Sequence, residues 1–153
     1  MRLALFEPDI PQNTGTILRL AACFRVSVDI IEPCGFVFSD RRLKRAGMDY
    51  IDQVDFKRHD SWSKFLENSQ NEAKARIVLL TTKAECSHTE FEFSPSDILL
   101  LGRESAGVPK EVHAAADARI IVPMAPETRS LNIAVSAAMV LGEALRQTDA
   151  YPK

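Results

Sequence analysis

Short apolar runs recur along this chain, each stopped within a few residues by proline, glycine or charge, and between them apolar positions repeat at helical spacing. Residues 2–6 predict a first strand, and residues 8–12 a loop that Pro8 and Pro11 keep out of regular structure. Asn13 is a good helix cap, and Ile17, Leu18, Leu20, Ala21 and Phe24 then predict a helix ending before Val26. A second strand is expected over residues 28–31. A short basic helix over 40–45, capped by Asp40 and stopped by Gly47, and a weaker strand over 51–56 follow. Ser61 caps a predicted helix over 61–68 whose apolar side is Trp62, Phe65 and Leu66. Strands are expected over 77–81 and 98–101, with a loop or edge strand between them where Phe91 and Phe93 alternate with polar residues.

Pro109 suits a first helical position and opens a turn of helix over 110–116. Ile120, Ile121 and Val122 are too few for a helix and rich in β-branching, so they predict a buried strand stopped by Pro123. After a loop broken by Pro123 and Pro126, Ser130 is placed to cap a long helix carrying Ile133, Ala137, Val140 or Leu141, and Leu145. Buried strands alternating with helices predict an α/β fold: an open, mostly parallel sheet with helices on both faces. At 153 residues the chain is long enough for one core and short for two, so residues 1–153 are expected to form a single domain.

The hydrophobic fraction of 46% and charged fraction of 26% are ordinary for a globular protein, and a net charge of −2 argues against a surface built for indiscriminate nucleic-acid binding. Local basic patches remain, the densest being Arg41, Arg42, Lys44 and Arg45. The apolar stretch from Leu3 to Phe6 is ended by Glu7 and Pro8, too soon for a signal-peptide core or a membrane span. No membrane association is therefore expected, and the expected location is the cytoplasm. Cys23, Cys34 and Cys86 form no C-x-x-C pair and cannot all pair with one another, which predicts free thiols. His59, His88 and His113 are scattered without ligand spacing, and no metal is expected.

Three loops each follow an apolar strand and carry residues that a core does not need. They are the segment from Pro8 through Gly15 with Arg19 beyond it, the segment from Gly102 to Gly107, and the segment from Pro123 to Asn132. In a parallel sheet such loops all emerge at the carboxyl edge, where they can converge on one crevice. The Gly102–Gly107 loop has neither a dinucleotide fingerprint nor a phosphate loop with its lysine, so a nucleoside triphosphate is not indicated. Each residue also has an ordinary reading: Asn13 and Ser130 as caps, Arg19 as a surface charge, the two glycines as the frame of a tight turn.

Taken together the motifs resemble the SPOUT superfamily, and within it the SpoU-type RNA ribose 2′-O-methyltransferases. The resemblance rests on P-x-N-T-G-x-x-x-R (Pro11, Asn13, Thr14, Gly15, Arg19), on G-x-E-x-x-G (Gly102, Glu104, Gly107), and on I-I-V-P-M with S-L-N (Ile120 to Met124, Ser130 to Asn132). With E-P-x-I-P-x-N-T-G, D-R-R-L-K-R-A-G-M-D-Y and L-T-T-K added, it extends to the minimalist members that modify the wobble nucleotide, cytidine or 5-carboxymethylaminomethyluridine, of leucine tRNAs, with no additional RNA-binding domain. Arg103 departs from the pattern, at a position that is often small, polar or proline.

The resemblance implies a C-terminal trefoil knot and S-adenosylmethionine as methyl donor, with cofactor contacts at Leu80, Gly102, Val122 and Ser130, and Leu131 as a neighbour. It implies tRNA as partner, with Arg41, Arg42 and Arg45 as RNA contacts. It points to Arg19 as the catalytic residue, with Asn13 and Glu104 as second candidates that fix Arg19 or the RNA. It also implies a homodimer, for which the small residues Ala134, Ala138 and Gly142 on the last helix would permit close approach. Left standing beside it are a ribose target in another tRNA or in rRNA, a nucleotide- or flavin-binding module, and an RNA-binding protein of the same fold without activity.

Overall fold

The computed structural model describes residues 1–39, 54–70 and 75–153. Its elements are β1 (Arg2–Phe6), α1 (Pro11–Phe24), β2 (Ser27–Ile31), β3 (Phe56–His59), α2 (Trp62–Gln70), β4 (Ile77–Leu80), β5 (Ile98–Leu101), α3 (Lys110–Ala115), β6 (Ala118–Ile120) and α4 (Ile133–Gln147). The strands form one sheet in the order β3-β2-β1-β5-β4-β6, and every neighbouring pair is parallel.

Alternation along each strand sends successive side chains to opposite faces, and each face has its own apolar cluster. Leu3 and Leu5 of β1, Val78 of β4, and Leu99 and Leu101 of β5 pack with Ile17, Leu18 and Ala21 of α1 and Val140, Leu141 and Leu145 of α4. Ala4 and Phe6, Ile77 and Leu79, and Ile98 and Leu100 point the other way, onto Phe65 of α2 and Val112 beside Ala116. The central strands are thus apolar on both faces because both faces are covered, as expected for a parallel sheet.

Several expected boundaries move. The strand expected over 51–56 lies at Phe56–His59, paired with Val28 to Ile31; residues 51–53 lie outside the described residues. Lys57 and Arg58 are exposed on this edge strand, which hides it from a hydrophobicity pattern. The strand predicted over 120–122 lies at Ala118–Ile120, since Val78 pairs with Ala118 and Leu80 with Ile120, whereas Ile121 bonds the 86–88 segment instead. Pro109 is the cap of α3, not its first helical residue. The helix expected to be capped by Asn13 begins at Pro11, after Ile10, so Asn13 stands within its first turn. The expected basic helix over 40–45 lies outside the described residues, and the segment over 85–96 carries a single bridge, Ser87 to Ile121, in place of a strand.

Candidate active site

Walking outward from β1 and β2 and then returning through β5 and β4, the strand order reverses between β1 and β5. The loops leaving these two strands meet there. Asp9 N–H donates to Glu104 Oε2 at 3.1 Å and Glu104 N–H donates to Asp9 Oδ1 at 3.1 Å. The Ser105 hydroxyl also donates to Asp9. Gly35 seals the first loop from outside: its N–H donates to Pro8 O at 2.9 Å, and a Cβ there would lie 2.7 Å from that of Asp9.

The second loop closes on itself. Arg103 and Gly107 exchange backbone hydrogen bonds of 2.9 and 2.8 Å, and Gly107 takes φ +67°, a conformation that favours glycine. A Cβ on Gly102 would meet the Gly107 carbonyl carbon at 2.8 Å. Here the tight-turn reading of the two glycines is the one the packing supports.

The third loop arrives through Asn132. Asn132, not Ser130, caps α4: its Oδ1 accepts from Ala134 N–H at 2.9 Å and Val135 N–H at 3.3 Å. Its Nδ2 donates to Asn13 Oδ1 at 3.0 Å, and Asn13 Nδ2 donates to Glu104 Oε1 at 3.2 Å. One line of side chains therefore runs from the N-terminus of α4 through α1 to the loops of β5 and β1. The α4 amides hold the acceptor end of Asn132, so each amide along the line has one permitted orientation.

Beside this line lies a cavity of about 470 Å³, within the range of small-molecule sites. Leu80, Gly102, Val122, Ser130 and Leu131 all line it, and Asn13 and Glu104 line it as well. Leu79, Leu101 and Ile120 supply carbon from the strand ends, while Lys83 and Arg103 bring charge. Arg103 is anchored to Glu7 at 3.2 Å, and its Nε is buried without a hydrogen-bond partner.

Arg19 is the expected site residue that the cavity does not include. It is exposed on α1, six residues past Asn13, hence about 9 Å along the helix axis and about 120° around it. Arg41, Arg42 and Arg45 lie outside the described residues. Asp9 went unrecognised in the sequence because a single carboxylate between two prolines has no signature until its partner 95 residues away is known.

The two carboxyls of this junction titrate in opposite directions. Hydrogen bonding with the Glu104 side chain, reinforced by Ser105 over an opposing burial, holds the Asp9 carboxyl down to about 2. Burial first, then the Asp9 carboxyl beside it, pushes Glu104 up. A depressed carboxylate stabilises the fold above its unfolded value and loses that contribution as pH falls through the folded value. The raised Glu104 works the other way, favouring the fold at low pH and fading as pH rises through its folded value. Asp9→Asn is therefore expected to destabilise the protein most just above about pH 4, where Asp9 is charged and Glu104 keeps its proton, with the gap to wild type closing as pH falls toward about 2. Urea unfolding across that range checks it; a gap independent of pH would remove the Asp9 charge from the account.

The fold and the cavity define an α/β chain with a cavity of small-molecule size at the carboxyl edge of a parallel sheet, beside the point where strand order reverses. Residues 1–142 match the SpoU rRNA methylase family. A tRNA (cytidine(34)-2′-O)-methyltransferase of Beijerinckia indica is 61% identical over 151 residues, covering 99% of this chain and 94% of its own length. A solved structure concerned with 2-OH methylation of C/U34 on tRNA superposes with a TM-score of 0.89 at 41% identity, covering 95% of this chain and 94% of that one. An rRNA methyltransferase from Sinorhizobium meliloti with AdoMet bound gives 0.84 at 27% identity, over 95% of this chain and 55% of that one. The chain belongs to the SpoU methylase family and is a methyltransferase, as its motifs led us to expect. Among the described residues no helix is long and apolar enough to cross a membrane, and no group of three His, Cys, Asp or Glu side chains is set to hold a metal.

Proposed function

We propose that this enzyme methylates the ribose 2′-oxygen of the wobble nucleotide, position 34, cytidine or 5-carboxymethylaminomethyluridine, in the anticodon loop of leucine tRNAs, with S-adenosylmethionine as donor. The observation that carries the reading is the meeting of three strand-end loops around one half-apolar cavity, in a chain whose relatives are named for methylating that position. The cavity suits the donor by size, by its carbon walls and by buried N–H groups of Arg103 and His113 that lack acceptors. Leu80, Gly102, Val122, Ser130 and Leu131 would hold it, backbone groups reading the adenosine while the apolar strand ends exclude water. When bound, the donor supplies a methyl group on a cationic sulfur.

The protein's task is then to orient the 2′-hydroxyl and manage its proton. Arg19 clamps the adjoining RNA phosphate or stabilises the developing alkoxide, roles that a permanently charged guanidinium performs without giving up a proton. Asn13 and Glu104 hold the rim in register through their bond at 3.2 Å. The basic residues Arg41, Arg42 and Arg45 contact the RNA backbone.

The reading includes one domain over residues 1–153, a C-terminal trefoil knot, a cytoplasmic location and a homodimer. Support for the knot is the course of the C-terminal segment, which bonds the 86–93 connection at Ile121 and again at Gln147 while α4 packs against α1. Support for the dimer is the apolar surface of Leu131, Val135 and Met139, with exposed Ile10 nearby in sequence to Asn13. Ala134 is buried within the chain and Gly142 carries the Tyr151 hydroxyl, so of the three small residues only Ala138 belongs to that exposed surface.

Mass mapping of ribose methylation in tRNA from cells with and without the protein tests the target: loss of the methyl at position 34 of leucine tRNAs is expected, and loss at another tRNA or rRNA ribose would move the substrate. Thermal stability with S-adenosylmethionine, FMN and ATP tests the cofactor, since a ligand that binds the folded state raises it. A gain with FMN or ATP alone would overturn the methyltransferase reading. Light scattering at working concentration reads the dimer directly.

A further inference from the structure

On the α3 side of the cavity stands His113, a residue that none of the motifs includes. Arg119 Nε–H donates both to His113 Nδ1, at 3.2 Å, and to the His113 carbonyl, at 2.9 Å, and its Nη2 donates to the same carbonyl. A guanidinium has donors only, so Nδ1 must accept and the ring proton must sit on Nε2. That Nε2 is buried and has no hydrogen-bond partner. A buried donor without an acceptor is a standing cost to the folded protein, removed when a ligand brings the acceptor.

The surroundings say what kind of acceptor fits. Leu79 and Val108 line the same cavity, and both pack with the buried Val112 next to His113 in sequence. An uncharged acceptor on a largely flat, apolar ligand suits such a wall, whereas a carboxylate would be drawn to Lys83 or Arg103, which line the cavity too. We infer that His113 Nε2–H is a recognition donor for the adenosine half of the methyl donor, to an adenine ring nitrogen or a ribose hydroxyl, with Arg119 fixing the tautomer. The inference rests on the cofactor assignment above and adds to it a side-chain contact that only the tertiary structure exposes.

Calorimetric titration of the full chain with S-adenosylhomocysteine tests it. His113→Leu fills the space without a donor and is expected to weaken binding about tenfold, while His113→Gln, which keeps an N–H at similar reach, stays within about threefold of wild type. Analogues lacking one adenine ring nitrogen or one ribose hydroxyl identify the acceptor. One of them should bind wild type about tenfold more weakly than the parent and lose nothing further in His113→Leu. Equal affinity of His113→Leu and wild type, or wild type indifferent to every analogue, overturns the inference; if the leucine variant does not fold, His113→Ala titrated with the same analogues decides, since only an acceptor held by His113 loses its effect there. Failure of wild type to bind S-adenosylhomocysteine at all would instead bring down the cofactor assignment.

Discussion

Arg19→Lys is expected to lower the methyl-transfer rate at least about a hundredfold while leaving S-adenosylhomocysteine affinity unchanged. The expectation follows from where Arg19 stands: on the exposed side of α1, outside the cavity that lies beside Asn13 and Glu104. A residue so placed does not line the cofactor cavity, so its substitution should spare cofactor binding. Lysine keeps the charge but loses the planar fork that grips a phosphate in two places, so the substitution separates geometry from charge. Single-turnover transfer from labelled donor, with calorimetry alongside, reads the two effects separately. Unchanged turnover would remove Arg19 from the reaction, and a parallel loss of cofactor binding would make its role one of structure.

Asn132 is expected to split stability from activity. Asn132→Ala removes the acceptor for Ala134 and Val135 N–H and should cost about 1–2 kcal/mol of stability, together with the bond to Asn13. Asn132→Asp keeps that acceptor, and its charge is welcome at a helix N-terminus, so stability stays near that of wild type. The aspartate, however, presents oxygen to Asn13 Oδ1 where Asn132 presented an N–H. If Asn13 turns over to donate, its oxygen then faces Glu104 Oε1, so one contact along the line fails in either orientation. Turnover in Asn132→Asp should therefore drop about tenfold or more, because the failed contact sets two oxygens against one another beside the cavity and breaks the line that holds Asn13 and Glu104. Urea unfolding paired with initial rates checks both variants; wild-type turnover in Asn132→Asp would mean that the direction of the line does not matter to the site.

What the chain determined by itself lies in its short-range patterns. The runs at 2–6, 28–31, 77–81 and 98–101 became the four inner strands, because a strand covered on both faces must be apolar at nearly every position. Pairs such as Leu3 with Leu5 and Ala4 with Phe6 then divide between the two faces by the alternation of the strand alone. The loops that carry the chemistry were legible for the same reason, as polar interruptions directly after those runs. The family motifs added which of their residues to watch.

Tertiary structure decided the rest. Edge strand β3 carries two exposed cations, and only its pairing with β2 fixes its position. Ser130 and Asn132 are both good caps two residues apart, so no local rule selects between them; the bond from Asn132 to Asn13, across 119 residues, accompanies the choice of Asn132. Asn13, a cap by its type, became a relay between two loops because Pro11 already starts the helix. Asp9 and Glu104 have opposed titrations only because folding sets them side by side, and the His113 proton is assigned only because Arg119 stands against its other nitrogen. Hydrophobic periodicity is a property of neighbours along the chain, whereas the direction of a hydrogen bond belongs to partners that meet only after folding.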